Sequence, residues 1–303
     1  MKLVTGATGF LGSALASAFE ARSISTRCVS RQRHAGAELA HAEYASLDLR
    51  SVEPENRIFD SVDTIVHLAS TTIPSTSMDD MIFDARSNLE MALRLLEAAR
   101  IRGIRSFIFA SSGGTVYGDP VRLPVRETDP TDPRSAYGIS KLATEKYIGL
   151  YSRLYGLRGI SLRISNPYGP GQLAGTPIGL VAKLLRDVRA GKPVTIWGDG
   201  SIVRDFFHVD DLMRAVLLAV TGDLAPGVYN VGAGYGTSIN EIVALAERIT
   251  GKPVALEYQP ARNIDVPKIW LDTGKFRAAT GWRPEIGLEQ GIEELWKEAL
   301  ERH

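Results

Sequence analysis

The sequence predicts an α/β fold: a doubly wound parallel sheet with a smaller, discontinuous C-terminal lobe. Three observations predict it. Short apolar runs alternate with helical periods through the first half of the 303 residues. A glycine-rich segment follows the first apolar run and opens the first helical period. After about Asn166, glycine and proline crowd into a loop stretch, and the alternation becomes irregular.

Five apolar runs have the length and composition of buried parallel strands. They are bounded by turn residues and carry apolar side chains on both faces. The strand runs cover residues 3–5, 27–29, 64–68, 106–110 and 159–164, and helical periods between them cover 12–21, 88–102 and 140–155. Strand–helix alternation implies right-handed crossovers, so the sheet is expected to bind ligands at the carboxyl ends of its strands.

The C-terminal part has a different order of elements. We expect helices over 180–189, 210–220, 238–250 and 288–301, and strands over 194–197, 206–209 and 228–231. We therefore divide the chain into a first domain, residues 1–165, and a lobe made mainly of residues 166–303. Segments near 206–232 are expected to return to the first sheet.

Composition and charge exclude several classes of protein. Basic and acidic residues both total 35, so no net field favours nucleic acid or an acidic membrane surface. No apolar stretch is long enough to span a bilayer, and the strand-like residues after Met1 leave no room for a signal segment. The single cysteine, Cys28, is expected in the core and excludes an internal disulfide. We expect a cytoplasmic protein without nucleic-acid or membrane partners and without a metal site.

The N-terminal glycines have the context of a dinucleotide-binding loop. They follow the first strand and open the first helix, where glycine permits a tight turn, close approach to a pyrophosphate and close helix packing. We assign cofactor contacts to Gly6, Thr8, Gly9, Phe10, Leu11 and Gly12. A tight turn without a ligand is the alternative. The first domain is thus predicted to be a Rossmann domain, and the second lobe to bind the substrate.

The end of the second strand bears on the choice between NAD and NADP. An NAD binder places an acid about twenty residues after the glycines, but Ser30 stands there. Arg31 and Arg33 could face a 2′-phosphate, which favours NADP. Alternatively, both are solvated, or Arg31 stacks on adenine and NAD binds. Asp48, beside Leu49, could accept from the adenine amine, or it could serve as a cap or turn residue.

A tyrosine and a lysine four residues apart predict a proton-transfer centre. Tyr137 and Lys141 are neighbours on one helical face. The ammonium favours phenolate over phenol, so we expect it to lower the pKa of Tyr137 toward neutrality. Beside a dinucleotide loop, such a pair suits hydride transfer at a carbinol carbon.

In these motifs and their order, the chain resembles the extended short-chain dehydrogenase/reductase family, in its nucleotide-sugar epimerase/dehydratase branch. The resemblance runs over almost the whole length. The segments that carry it are 6–12 (GATGFLG), 66–69 (VHLA), 111–118 (SSGGTVYG), Tyr137-x-x-x-Lys141, 166–169 (NPYG), 204–211 (RDFFHVDD) and 229–232 (YNVG).

The resemblance implies roles for further residues near the cofactor. Tyr137 is then the acid/base, and Lys141 binds the nicotinamide ribose. The implied cofactor contacts also include Leu68, Ala69, Asn88, Ser111 and Pro167. Asn88 helps to order the strand ends near the nicotinamide, with an ordinary N-cap as the alternative.

The resemblance also implies a site for a nucleotide-diphosphate sugar. Asn166 matches a contact to the substrate's phosphate or sugar, although a simple Asn-Pro turn is the alternative. Arg204 and Arg262 match residues that bind the diphosphate, for which a guanidinium is suited by its bidentate geometry. Asp265 matches a contact to the nucleoside ribose, and an ion pair with Arg262 is the alternative.

The chain departs from the family pattern at one catalytic position. The family normally places Ser or Thr four residues before the tyrosine of the Val-Tyr-Gly segment, which here gives Gly113. We expect Thr115 to supply the missing hydroxyl to the substrate, with Ser112 or a water molecule as the alternatives. The Asp-Glu pair of dehydratases is also replaced, by Gly114 and Thr115, so 4,6-dehydratase activity is not expected.

The leading functional hypothesis is therefore an NAD(P)-dependent C4 epimerase of a nucleotide sugar, with a UDP-hexose as substrate. Transient oxidation at C4 would be followed by reduction from the other face. The alternative is an NADPH-dependent reductase of a nucleotide-linked 4-keto-6-deoxy sugar, which the basic segment after the second strand favours. The third hypothesis is a catalytically silent dinucleotide sensor.

The helical segments 88–102 and 140–155 carry more apolar residues than one core face requires. Met91 and Leu95 lie off the main stripe of the first segment. This surplus, together with the family habit, predicts a homodimer formed through helices.

Overall fold

The first half of the chain alternates strands and helices as predicted. A computed structural model describes residues 1–32, 39–173 and 179–301. Its first elements are β1 (Lys2–Thr5), α1 (Phe10–Glu20), β2 (Thr26–Ser30), β3 (Ala42–Ser46), β4 (Thr64–His67), α2 (Met81–Asp84), α3 (Glu90–Ile101), β5 (Ser106–Ser112), α4 (Ala136–Tyr155) and β6 (Arg158–Ile164). A π turn, Ala85–Leu89, joins α2 to α3. Short 3₁₀ turns cover Leu49–Ser51, Arg57–Phe59 and Thr76–Met78.

The C-terminal part contains short strands between longer helices. Its elements are β7 (Asn166–Tyr168), α5 (Leu180–Arg189), β8 (Val194–Trp197), β9 (Val203–Arg204), β10 (Phe206–His208), α6 (Val209–Thr221), β11 (Gly227–Val231), β12 (Thr237–Ser238), α7 (Ile239–Thr250), β13 (Leu256–Gln259), α8 (Gly274–Thr280) and α9 (Leu288–Glu301). Three two-stranded pairs form here: β7 with β10, β9 with β12, and β8 with β13.

Seven parallel strands form the central sheet, in the order β11-β6-β5-β4-β1-β2-β3. All neighbours pair in parallel, and Thr5 at the end of β1 lies opposite both Val29 and His67. The chain order reverses between β1 and β4, which opens a crevice at the carboxyl ends of these strands. The predicted doubly wound parallel sheet is confirmed. The division into domains at residue 165 stays a prediction.

Two apolar cores cover the two faces of the sheet. Because successive strand residues point to opposite faces, Val4 packs in the core with α1 and α6, whereas Leu3 packs in the core with α3. A third core, around Leu185 and Ile242, joins α5, α7 and α9. Burying a side chain of this size contributes about 1.5–3 kcal/mol. The cores on the two faces of the sheet hold in place the strand ends that line the crevice.

Helix α4 presents its apolar stripe to the surface. Its buried residues include Ser140, Lys141, Thr144 and Glu145, while Leu154 is 61% exposed. The buried Glu145 accepts hydrogen bonds from the Nε and Nη2 atoms of Arg163 on β6. The helix begins after Ser135, whose side chain accepts from the Gly138 amide, and it ends at Gly156 with a φ of 68°. The predicted stop at Gly156 is confirmed.

Two sequence-based expectations about the helix before β5 are wrong. The helical stretch starts at Met81 rather than at Asn88, because α2 runs through the π turn into α3. Met91 and Leu95 are both buried in the protomer's own core, so they are not surplus surface residues. Both residues belong to the buried face of α3, which also includes Ala92, Leu96 and Ala99.

Three further features of the described residues concern the cysteine, membrane-spanning helices and metal-binding clusters. Cys28 is buried in β2, and burial raises the pKa of its thiol to about 11. Over the described ranges, no helix is both long and apolar enough to cross a membrane. The same ranges hold no cluster of three or more histidine, cysteine or acidic side chains that could bind a metal ion.

Candidate active site

A cleft of about 1110 Å³ opens at the carboxyl ends of the parallel strands. It brings together most of the residues that the sequence singled out. Those lining it are Gly6, Thr8, Gly9, Phe10, Leu11, Gly12, Ser30, Arg31, Asp48, Leu49, Leu68, Ala69, Ser112, Thr115, Tyr137, Asn166, Pro167, Arg204, Arg262 and Asp265. Lys141 and Asn88 lie behind Tyr137, around a separate cavity of about 10 Å³. Ser111 lines neither space, and Arg33 lies outside the described residues.

The glycine loop leaves the start of α1 open to the cleft. Gly6 has a φ of 71°, and a side chain there would approach the Ala69 backbone to 2.9 Å. A Cβ on Gly12 would lie 2.1 Å from the Gly6 carbonyl oxygen, so only glycine permits this packing of helix on strand. Gly9 caps α1 without a side-chain hydrogen bond, and the first turn contains no acid. The free amides of this turn fit a diphosphate.

At the far end of the loop, Asp48 is already engaged by a neighbouring arginine. Its carboxylate accepts from the Arg50 backbone amide and guanidinium, and caps the Leu49–Ser51 turn. These hydrogen bonds lower the pKa of Asp48 to about 2. The capping alternative is therefore realised, although Asp48 still lines the cleft. Arg50 also lines it, as does the exposed Arg31.

Tyr137 and Lys141 lie side by side in buried surroundings. The Lys141 Nζ donates to the Ala110 carbonyl at 2.7 Å and lies 5.3 Å from the centroid of the Tyr137 ring. Burial lowers the pKa of Lys141 to about 8, against the opposing effect of Asp84 and Glu145. Burial, followed by the charge of Asp84, raises the pKa of Tyr137 to about 12.

The expectation that Lys141 lowers the pKa of Tyr137 is therefore wrong, because the protein's own groups together raise this pKa. Desolvation of the phenolate is the largest effect on this pKa, and the charge of Asp84 adds to it. The ammonium is also directed at a backbone carbonyl rather than at the phenol oxygen.

Asn88 orders the chain segment that follows β4. Its side-chain carbonyl accepts from the Thr71 amide at 2.9 Å, and its amide donates to Asp84 at 3.0 Å. Asp84 also accepts from Ser140 at 2.5 Å and from Thr72. Asn88 lies inside the π turn, so the N-cap alternative is wrong. A network of polar side chains thus connects the π turn to the helix that carries Tyr137.

The glycine that replaces the family's Ser or Thr does not face the cleft. A Cβ on Gly113 would lie 2.4 Å from the Leu271 Cδ1 atom and 3.1 Å from the Arg163 carbonyl oxygen. Its neighbours Ser112, Gly114 and Thr115 line the cleft instead. The Thr115 hydroxyl is buried there and has no hydrogen-bond partner among the described residues. A buried hydroxyl without a partner is suited to a bound polar ligand.

Asn166 and Pro167 lie in a strand rather than in a turn. They belong to β7, where they pair with Phe206 and Phe207 of β10. The Asn166 amide donates to the Asp205 carbonyl at 2.9 Å. The alternative of a simple Asn-Pro turn is wrong, and Asn166 lines the cleft next to Gly114, in the segment 112–115 that we call the catalytic loop.

Two arginines and an aspartate, Arg204, Arg262 and Asp265, line one wall of the cleft. The Arg262 Nε lies 2.8 Å from Asp265, so the predicted alternative of an ion pair is present within the site. The Arg204 Nη2 lies 4.0 Å from the same carboxylate, and its Nη1 donates to the carbonyls of Val203 and Val266. Burial lowers the pKa of Arg204. A buried guanidinium whose charge is only partly compensated suits an anionic group.

Sequence reasoning missed several residues that line the cleft or lie behind it. The Arg134 guanidinium donates to Asp119 at 3.0 Å and to the Asn263 carbonyl at 2.5 Å, which connects the start of α4 to the loop that holds Arg262. Trp197 lies under the Arg262 guanidinium, with 5.3 Å from Cζ to the ring centroid. Neither residue belongs to a local motif, so no sequence signal pointed to them.

Comparison with known proteins identifies similar chains over the whole length. The NAD dependent epimerase/dehydratase family matches residues 2–232. The UDP-glucose 4-epimerase of Mycolicibacterium smegmatis is 35% identical over 300 residues, which cover 96% of this chain and 95% of that protein. The structure of the Thermotoga maritima UDP-glucose 4-epimerase with UDP-glucose has a TM-score of 0.92 at 34% identity, covering 99% of each chain. The Thermus thermophilus UDP-glucose 4-epimerase with NAD has a TM-score of 0.91 at 33% identity, covering 100% of each chain.

Proposed function

Because this chain belongs to the NAD dependent epimerase/dehydratase family, we propose that it is an NAD(P)-dependent 4-epimerase of nucleotide-diphosphate sugars, with UDP-hexoses as substrates. The observation that carries this proposal is the composition of one cleft. The glycine loop, Tyr137 and the Arg204/Arg262 wall line the same space of about 1110 Å³. A dinucleotide and a nucleotide sugar can thus meet at the phenol.

The first-turn amides of α1, with Gly9 and Gly12, would hold the pyrophosphate of the dinucleotide, since no side chain caps them. When bound, NAD(P) supplies a reversible acceptor for the hydride of the sugar's C4 and, in its oxidised form, a positive charge in the cleft. Asn88 keeps the segment after β4 in place through the Thr71 amide. That segment includes Leu68 and Ala69, which line the cleft.

Tyr137 takes the proton of the sugar's 4-hydroxyl and returns it after reduction. Burial and the charge of Asp84 raise the pKa of Tyr137 to about 12 even with Lys141 in place, so the phenolate needs positive charge beyond that of the protein's own groups. The Lys141 ammonium lies 5.3 Å from the centroid of the ring. Thr115 donates a hydrogen bond to the reacting hydroxyl, which satisfies its otherwise unpartnered oxygen.

The 4-keto sugar must present both faces during the reaction, so the enzyme has to hold it by its other end. Arg204 and Arg262 bind the diphosphate, and the hexose ring is left free to rotate. Asp265 contacts the nucleoside ribose, and its carboxylate offsets the repulsion between the two guanidinium groups. Asn166, in its strand, contacts the sugar or its phosphate.

The experiment that tests this function needs no added cofactor. Purified protein is denatured to identify its retained nucleotide, and native protein is offered UDP-glucose or UDP-N-acetylglucosamine alone. Conversion to the 4-epimer supports the proposal. Tyr137→Phe should lose a factor of about 10²–10⁴ in kcat, and full activity in this variant would overturn the assigned chemistry.

A reductase of a nucleotide-linked 4-keto-6-deoxy sugar is the second candidate. Ser30 and Arg31, at the adenosine end of the cleft, favour it, since a reductase uses exchangeable NADPH. Consumption of one NADPH per 4-keto sugar, without turnover of UDP-hexoses, would identify this activity.

We also propose that Arg31 binds the 2′-phosphate of NADP. Arg31→Ala should weaken NADP binding about 10- to 100-fold, because a hydrogen bond to a charged group contributes about 1.5–3 kcal/mol. Its effect on NAD binding should be small. Arg22→Ala, a surface arginine outside the cleft lining, is the matched control. Equal losses for NAD and NADP would contradict the assignment.

The exposed stripe of α4 supports a homodimer. Ile139, Leu154 and Tyr155 are each more than half exposed on this helix, and Ile82 is 68% exposed on α2. A second copy of the chain that packs α4 against its own α4 would cover these residues.

A further inference from the structure

The carboxylate of Asp84 is fully buried directly behind the Tyr137–Lys141 pair. It accepts hydrogen bonds from three chain segments: Thr72 after β4, Asn88 in the π turn, and Ser140 on α4. No ion pair within 4.0 Å involves Asp84 in the part of the chain that the structure describes. Neutral donors stabilise a buried carboxylate but leave its net charge in place, so a buried cation nearby stabilises it further.

Lys141 is the buried cation that matches it. The side chain is 5% exposed, and its ammonium donates to the Ala110 carbonyl rather than to a carboxylate. The other charged group near it, Glu145, is paired with Arg163 at 2.7 Å. His67 lies on the opposite side, where burial and the charge of Lys141 lower its pKa to about 3, so it is neutral.

Ser140 links Asp84 to the backbone of α4 beside Lys141. It stands next to Lys141 in the chain and one helical turn after Tyr137, and it donates to Asp84 at 2.5 Å. Asp84 therefore anchors the turn of α4 that carries both residues. The same carboxylate fixes Asn88, which orders the segment along the cleft.

We propose that Asp84 is a positioning residue whose negative charge keeps Lys141 an ammonium and whose hydrogen bonds hold the catalytic turn of α4 against the π turn. The proposal rests on the proposed function only in its assignment of Tyr137 and Lys141 to proton transfer. Asp84 itself does not line the cleft.

The charge of Asp84 acts on the two catalytic groups in the same direction. It raises the pKa of Lys141 against burial, and it adds to burial in raising the pKa of Tyr137. Replacing Asp84 with the neutral, nearly isosteric Asn therefore lowers both pKa values. The ammonium is then lost at a lower pH, and the phenol also ionises at a lower pH.

The first measurement is independent of turnover. The ¹³Cε signal of Lys141, assigned by its loss in Lys141→Arg, is titrated in the holoenzyme and in its Asp84→Asn variant. We expect the pKa of Lys141 to fall by about one pH unit or more in the variant, as for loss of a nearby opposite charge. An unchanged Lys141 titration overturns the proposal, whatever reaction the enzyme catalyses.

The second measurement is the pH profile of kcat. In Asp84→Asn, both the acidic and the alkaline limbs should move to lower pH. Ser140→Ala removes one hydrogen bond and keeps the charge, so it should lower kcat with both limbs in place. A uniform loss of kcat in Asp84→Asn, with unmoved limbs, would show a merely structural role and overturn the proposal. A shifted Lys141 titration without any shift of the kcat limbs would instead contradict the proposed role of this pair in catalysis.

If Asp84→Asn does not fold, the wild-type protein still tests the idea. In the holoenzyme the ¹³Cε signal of Lys141 should have the position of an ammonium at pH 7. A neutral Lys141 amine at this pH would refute the counter-charge role. Asp84→Glu, which retains the charge, should restore the wild-type limbs.

Discussion

Gly113 provides the sharpest test of how the catalytic loop is built. In the family pattern a Ser or Thr at this position donates to the reacting hydroxyl, so Gly113→Ser is the obvious way to restore a missing catalytic group. The structure predicts that this change fails. A Cβ at Gly113 points to Leu271, at 2.4 Å from its Cδ1 atom, and away from the cleft.

The expected loss of stability follows from the packing around Gly113. Carbon atoms in ordinary contact are about 3.5–4.0 Å apart, so the new Cβ overlaps the Leu271 methyl by more than about 1 Å. Leu271 is buried in the core beside Val125 and Ile269, and overpacking of such a core costs about 1–3 kcal/mol. Gly→Ala in itself favours folding by about 0.4–1 kcal/mol through the unfolded chain. Gly113→Ala should thus destabilise the protein by about 1–2 kcal/mol.

The assay is a double-mutant cycle in denaturant. Leu271→Val alone should destabilise by about 1 kcal/mol, since it removes one buried methylene. In the Gly113→Ala background, Leu271→Val should lower the free energy of unfolding by less, or even raise it, because the shorter side chain relieves the overlap. The coupling free energy between the two substitutions should be about 1 kcal/mol. Gly113→Ser should show the same coupling and no increase in kcat. A variant with wild-type stability and a tenfold higher kcat would refute this placement of the side chain.

Three further predictions concern the cleft and the surface. Thr115→Val should lower kcat by about 10²–10³ with little effect on the retained dinucleotide, and Ser112→Ala should lower kcat less; the reverse order in steady-state assays would make Ser112 the hydroxyl donor. Arg204→Lys should raise KM for the UDP-sugar by about tenfold, since an ammonium cannot make the bidentate contact, and binding of free UDP by calorimetry should weaken equally. Leu154→Glu should convert a dimer to a monomer in analytical ultracentrifugation, and a variant that stays dimeric would place the interface elsewhere.

Local patterns predicted the parts of the site that are local in sequence. The loop from Gly6 to Gly12 was predicted because strand, turn and helix follow one another within a few residues. Tyr137 and Lys141 were predicted because one helical turn brings them together. In each case, the physical constraint acts between near neighbours in the chain.

The remaining parts depend on contacts between distant segments. Asp84 meets Ser140 only because α2 packs against α4, and Leu271 fills the space beside Gly113 from the far end of the chain. The pKa of Tyr137 was misjudged for the same reason, since its burial depends on the fold around it. The helix start at Met81 was missed because the π turn breaks the regular period.

The pairing of β11 with β6 has a consequence for how the protein is made on the ribosome. β6 ends at Ile164, but the strand that covers its free edge ends at Val231. At about 5–20 residues per second, roughly 3–13 s pass while the intervening chain is synthesised. During that time an apolar sheet edge stays open to other nascent chains. The edge of β6 is therefore covered only after synthesis has passed residue 231, and fragments that end before residue 227 should be more prone to aggregation than the full chain.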